Sequence, residues 1–198
     1  MTTVFLGGSR RISRLNADIR ERLDRIIEQN FEVIIGDANG ADKAIQTYLH
    51  SKNYSHVEVF CSGGVCRNNV GRWNQRTVAA DKRNRDFDFY ATKDRLMADE
   101  ATVGFMLWDG SSVGTILNVF RLVDRHKKAR IYDVSGKQFR DFSNSAQLES
   151  FISSCGLEVA RKIKQKLALE CREGASTSQP SSPWTNLNDC ERKGRIAN

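Results

Sequence analysis

The run Trp108-Asp109-Gly110-Ser111-Ser112-Val113-Gly114-Thr115 follows an apolar stretch from Thr102 to Leu107 and opens a helical pattern near Val113. A strand that ends in Asp-Gly-Ser-Ser and restarts as a helix presents backbone N–H groups at the positive end of a helix dipole, which suits a phosphate or another anion. Ser111, Ser112 and Thr115 add hydroxyls. Gly114 in an early turn is unfavourable for the helix itself, which implies that a ligand approaches the backbone there; the plain alternative is a helix cap. Two further junctions have the same character. Gly7-Gly8-Ser9-Arg10 follows strand residues Thr3 to Leu6, and its glycines would let a ligand come close while Ser9 and Arg10 supply a hydroxyl and a guanidinium. Gly36-Asp37-Ala38-Asn39-Gly40-Ala41-Asp42 follows Val33 to Ile35. There Asp37 is placed to hold a ribose hydroxyl, Gly40 suits a positive φ, and Asp42 is placed to cap the next helix; turn and cap chemistry alone is the simpler account.

Asp94 follows Lys93 on a helical stretch whose inward stripe reads Phe87, Tyr90, Met97 and Ala101. Asp94 shares a face with Tyr90 and Met97, and a carboxylate on an apolar stripe is costly unless it is paired or faces a cleft. Either an arginine partner or a ligand contact satisfies that requirement. Several other chemistries have no support. There is no GxGxxG fingerprint and no GxxxxGK[ST] phosphate loop. His50, His56 and His126 have no legible Ser or Asp partners. Cys61 and Cys66, separated by four residues, have no second pair at zinc spacing, so reduced thiols are expected and neither a metal nor a cofactor is.

The elements that must position these residues follow from a repeated change of hydrophobic period. Val4 to Leu6, Val33 to Ile35, Val57 to Phe60, Val103 to Trp108 and Ala129 to Val134 read as strands, and Lys137 to Phe142 as a return strand after Ser135-Gly136. Ser13 to Asn30, the stretch from Ala41, Asp86 to Glu100, and Val113 to Arg125 read as helices. Alternation of this kind predicts an α/β protein with a Rossmann-like, open, mainly parallel sheet and helices on both faces. Ligands bind such sheets outside the carboxyl ends of the strands, where all three junctions fall. The domain is expected over 1–142 and a helical extension, bent near Cys155-Gly156, over 143–172. The Gly/Ser/Pro-rich composition of 173–198 predicts a disordered tail.

The 198 residues carry a formal charge of +7. From Ser62 to Arg85 six basic residues (Arg67, Arg72, Arg76, Lys82, Arg83 and Arg85) face one acid, Asp81, in a segment of little periodicity. Such a cluster attracts phosphates, on a small nucleotide or on a nucleic acid, and Trp73 within it could stack on a base. No apolar run is long enough to cross a bilayer and the N-terminus lacks the pattern of a secretory signal, so a cytoplasmic protein is expected.

Taken together, the Gly7–Arg10 strand end, the Gly-Asp-Ala-x-Gly-Ala-Asp run, Lys93-Asp94-x-x-Met97 and Trp108-Asp109-Gly110-x-Ser112-x-Gly114-Thr115 resemble the SLOG superfamily. The likeness is greatest to its small bacterial and phage members of the YspA-like type, and it spans about Thr3 to Val134. The resemblance implies a Rossmann-like domain that binds a nucleotide or nucleotide derivative, and by family habit a homodimer. It implies site roles for Gly7, Gly8, Ser9, Arg10, Gly36, Asp37, Gly40, Asp42, Tyr90, Lys93, Asp94, Met97, Asp109, Gly110, Ser111, Ser112, Gly114, Thr115 and Asn118. The related lonely-guy phosphoribohydrolases carry a glutamate where this chain has Asn118, and an amide is neither a general base nor a carboxylate nucleophile. A sensing or sequestering nucleotide module is therefore the leading expectation. The alternatives are an N-glycosidase that uses Asp94 on a nucleoside monophosphate, and nucleic-acid binding through Arg67–Arg85.

Overall fold

Helix α1 (Ala17–Glu28) begins where Asn16 accepts the Ile19 N–H at 3.0 Å, and it turns Ile19, Leu23 and Ile26 toward the core. The cap lies several residues beyond Ser13, where periodicity alone placed the helix start. The computed structural model describes residues 1–78 and 87–174, with backbone only at 87–90 and 172–174. The remaining elements are β1 (Thr3–Gly8), β2 (Glu32–Gly36), α2 (Ala41–Ser51), β3 (Val57–Ser62), β4 (Asn74–Val78), α3 (Phe87–Glu100), β5 (Val103–Trp108), α4 (Val113–Asp124), β6 (Lys128–Asp133), β7 (Gln138–Phe142), α5 (Ser145–Ser154) and α6 (Leu157–Gly174).

The strands form one seven-stranded sheet in the order β4-β3-β2-β1-β5-β6-β7. All pairs are parallel except β6 with β7, which form a hairpin. The protein is thus an α/β fold with a Rossmann-like open sheet. Successive crossovers run outward from β1 on one side and from β5 on the other, so the sheet has its topological switch point between β1 and β5. One face packs Val4, Leu6, Val33, Ile35, Val57 and Val59 against α1 and α2 in a single apolar cluster. The other face receives α3 and α4. Residues 115–123 of α4 are buried all round, which is the signature of a helix wedged into a core.

β4 was not legible as a strand. Its sequence Asn-Gln-Arg-Thr-Val buries only Val78, because an edge strand has no face that must be apolar. The segment before it is not structureless either. Asn69 closes a turn on both the backbone N–H and the carbonyl of Trp73, and the Trp73 indole donates to the Tyr54 carbonyl at 2.8 Å. Cys61 and Cys66 are joined by a disulfide, contrary to the expectation of reduced thiols. Their sequence spacing said nothing of this, since pairing depends on how the loop after β3 folds back. Lys82, Arg83, Arg85 and Asp81 of the basic segment, and the tail from residue 175 onward, lie outside the described residues.

The chain divides into a unit of residues 1–149 and a unit of 150–198. Within the second, α5 ends at Ser154 and α6 restarts at Leu157, with Glu158 and Lys162 paired one turn apart at 2.6 Å. No described helix is long and apolar enough to cross a membrane.

Candidate functional site

The sheet order sets β2, β1 and β5 side by side, so their carboxyl ends bring the three junctions into one place. Hydrogen bonds then tie them together. The Ser9 carbonyl accepts from the Ala41 N–H at 3.0 Å, joining the first junction to the second. The Ser9 N–H donates to the Leu107 carbonyl at 2.9 Å and its hydroxyl donates to Asp109 at 2.8 Å, joining the first to the third. Ser9 is almost fully buried and serves as the clasp of the site.

Glycines make this edge possible for different reasons. Gly40 caps α2 with φ at +85°, and a Cβ there would strike the Arg10 backbone, so the expected left-handed turn is present. A Cβ on Gly36 would stand 2.6 Å from the Lys93 ammonium and would collide with the Asp42 carboxylate. Gly36 therefore makes room for the buried Asp42 carboxylate and Lys93 ammonium. Gly8 lies against the Leu107 backbone, so strand packing is reason enough for it; Gly7, also buried, would carry a Cβ in ordinary contact with Phe5 and Met106. Gly114 is the contrast: nothing stands within 4 Å of where its Cβ would be, and the residue is exposed. Among the described residues no neighbour requires a glycine there.

The acids and bases form one network from β2 to α4. Asp37, at 1 % exposure, accepts two bonds from the Arg67 guanidinium at 3.0 and 2.6 Å and one from its backbone N–H at 3.1 Å. Burial opposes ionisation of Asp37, but these bonds, with the Lys93 charge 3.8 Å away, outweigh it and hold the carboxyl below its ordinary range. Lys93 is buried and lies 3.4 Å from Asp94. Asp94 in turn stands 3.7 Å from Arg121, which donates to Asn118 at 2.6 Å. Asp42 is the strained member. Burial pushes its carboxyl up to about 6, with Asp94 and Asp37 adding to the rise and Lys93 and the Ala38 N–H opposing it. Its bond is to the Ala38 N–H at 3.2 Å, before the helix, and α2 has no side-chain cap. Asp42 therefore braces the β2–α2 turn from within.

At the third junction Asp109 accepts the N–H groups of Ser111 and Ser112 at 3.1 and 2.7 Å. Burial works against the Asp109 charge, and the Ser9 hydroxyl with these two N–H groups overcomes it, so the carboxyl is lowered. Two of the donors expected to be free are thus used by Asp109, around a turn in which Gly110 has φ at +83°. Helix α4 starts at Ser112 without a side-chain cap; the Thr115 hydroxyl donates to Ser112 at 3.0 Å. Arg11, largely exposed, donates to the Ser111 hydroxyl at 2.9 Å.

Of the remaining residues read from the sequence, Arg10 is exposed, Met97 is fully buried in the core, and the Tyr90 side chain lies outside the described residues. Reading by motif missed Arg11, Gln46 and Arg121, and it placed Arg67 in a phosphate-attracting segment and not beside Asp37. Gln46 donates to the Gly36 carbonyl at 2.8 Å and accepts from Val70 at 3.0 Å, fastening the loop that carries Arg67. Arg121 did leave a signal: it is the only charged residue between Val113 and Val123.

No family model matches the chain, and no curated protein matches it. Among solved structures it is similar to DNA processing protein A from Helicobacter pylori, whose reported structure concerns a single-stranded DNA binding mode. The TM-score is 0.53 at 12 % identity, over 84 % of this chain and 80 % of that one. At that identity the likeness is one of fold, and it assigns this chain to the same broad architecture.

Proposed function

We propose that this protein binds a nucleotide or nucleotide-derived ligand across the carboxyl ends of β2, β1 and β5, as a SLOG-like sensing or sequestering module. The observation that carries this reading is the meeting of three mutually bonded strand–turn–helix junctions at the switch point, beside a helix start with no side-chain cap and an open Gly114. In this reading a phosphate rests on the first turn of α4 next to Arg11 and Ser111, where dipole and guanidinium both favour negative charge. Asp94, about a quarter exposed, faces the sugar and base. Lys93 and Arg121 stand beside it, at 3.4 and 3.7 Å. If the ligand is cleaved, Asp94 is the residue placed to stabilise a cationic sugar in the transition state.

A panel of nucleoside monophosphates tests the reading by thermal shift, with the same mixtures read for free base by mass spectrometry. A module is stabilised by one or a few members of the panel without turnover. Release of base that Asp94→Asn abolishes would favour the N-glycosidase. A panel without effect overturns both.

Nucleic-acid binding draws support from the printed description of the Helicobacter pylori protein and from the basic segment. Pair formation weakens it. Arg67 is engaged by Asp37, and Arg76 by Glu58 at 2.7 Å and by Glu100. A steep loss of single-stranded DNA affinity with salt would restore it.

A further inference from the structure

The strongest feature outside that site lies at the other end of the sheet. The β6–β7 connection is a hairpin, so that connection lays no helix over these strands. On the α1 side of the sheet, Phe105, Tyr132 and Phe139 form a ring cluster with centroids 4.8 to 6.2 Å apart, and Phe139 is 40 % exposed. Below it, at the amino-terminal half of the parallel strands, a cleft of about 450 Å³ opens between α1, β1, β5, β6 and β7. Its walls include Val4, Ile26, Phe31 and Val103. Its charged groups are Arg22, Lys128 and Arg130 against one acid, Asp141.

The acid is already committed. Arg130 holds both Asp141 oxygens, at 2.5 and 2.6 Å. The Arg22 Nε is buried and has no hydrogen-bond partner among the described residues. A buried donor left unmade costs free energy comparable to a lost hydrogen bond, and such a group in a native structure calls for a partner. Volume, apolar walls and surplus positive charge match the usual build of a small-molecule pocket.

We infer that this cleft is a second ligand site, separate from the nucleotide site, for a small amphipathic anion: an apolar body against Val4, Ile26 and Val103, with a carboxylate or phosphate accepting from Arg22. The site is defined by what it discriminates. An uncharged molecule of the same shape fills the walls and leaves Arg22 as it is.

The test uses 2-naphthoate and its uncharged isostere 2-naphthamide with the full chain, followed by backbone amide resonances. The expected result is that naphthoate shifts the amides of Val103, Gly104 and Ala129 and binds about ten-fold more tightly than the amide, the worth of one charge-assisted bond. Arg22→Met keeps the apolar stem and removes the donor; it should bind both compounds equally, with the amide compound unchanged from wild type. Arg22→Lys, which keeps the charge without Nε, should recover part of the preference and supplies the answer if the methionine variant does not fold. No shift at these amides at millimolar naphthoate, equal affinity for the two compounds in wild type, or an undiminished preference in both variants would overturn the inference. Shifts confined to the Ser111–Thr115 turn would do the same, by placing the anion in the nucleotide site.

Discussion

Asp42 is the residue whose chemistry is most at odds with its surroundings. Its folded value of about 6 exceeds the ordinary 3.8, so the native state holds this proton more tightly than the unfolded chain does. The contribution of Asp42 to stability is therefore greatest below 3.8, declines as pH rises, and reaches its floor once pH passes about 6. The loss is on the order of 3 kcal/mol. Asp37 and Asp109 have lowered values and act with opposite sign: their contribution is present above the ordinary carboxylate range and fades as pH falls below it. Asp42→Asn keeps an acceptor for the Ala38 N–H and removes the titration. Denaturant melts at about pH 4.5 and pH 7.5 should show the variant gaining on wild type at the higher pH; a constant difference would contradict the buried charge. Arg67→Met leaves the buried Asp37 with the backbone N–H of residue 67 and the Lys93 charge but without the two guanidinium bonds, and should cost about 2 kcal/mol, discounted for the partial exposure of Arg67.

Helix α4 is the element on which recognition and stability separate. Gly114 stands in its first turn with empty space where a side chain would be. Gly114→Ala should raise stability by about 0.5 kcal/mol, because alanine is the better helix residue and meets nothing. The same methyl group occupies the approach to the backbone, so nucleotide affinity should fall about ten-fold. Calorimetric titration beside a thermal melt reads both, and unchanged affinity would remove Gly114 from the site. Gly36→Ala is the counter-case, a methyl group forced onto the Asp42 carboxylate and the Lys93 ammonium, with an expected loss of about 2 kcal/mol. Elements that bury an apolar stripe, such as α1, α2 and β5, were legible from periodicity because burial dictates their pattern. β4 was not, because its edge position leaves Asn74, Gln75 and Thr77 exposed. The positive φ of Gly40, set by a local turn, could also be read, whereas the use of Asp109 to accept the Ser111 and Ser112 N–H groups was not. Arg67 and Gln46 could not: their partners lie far along the chain and meet them only once β2 and β3 are paired.

For the whole molecule, net charge does not tell which basic groups are already paired. The basic segment reads as a phosphate-binding stretch, yet two of its three described arginines, Arg67 and Arg76, are paired with Asp37, Glu58 and Glu100, while Arg72 is exposed. Arg11 beside α4 stands 3.8 Å from Asp109, whereas Arg22 and Lys128 of the lower cleft share it with one acid, Asp141, that Arg130 already holds. The sheet order carries one more consequence. β1 lies between β2 and β5, so a nucleotide held as proposed would grip the middle of the hydrogen-bonded ladder and not a fringe that frays by itself. Nucleotide at a hundred times its dissociation constant should then slow the last amides to exchange, those of Phe5, Leu6 and Phe105, by the full linkage factor of about a hundred-fold. A ligand held only by a surface loop would protect that loop and leave these central amides at their former rate.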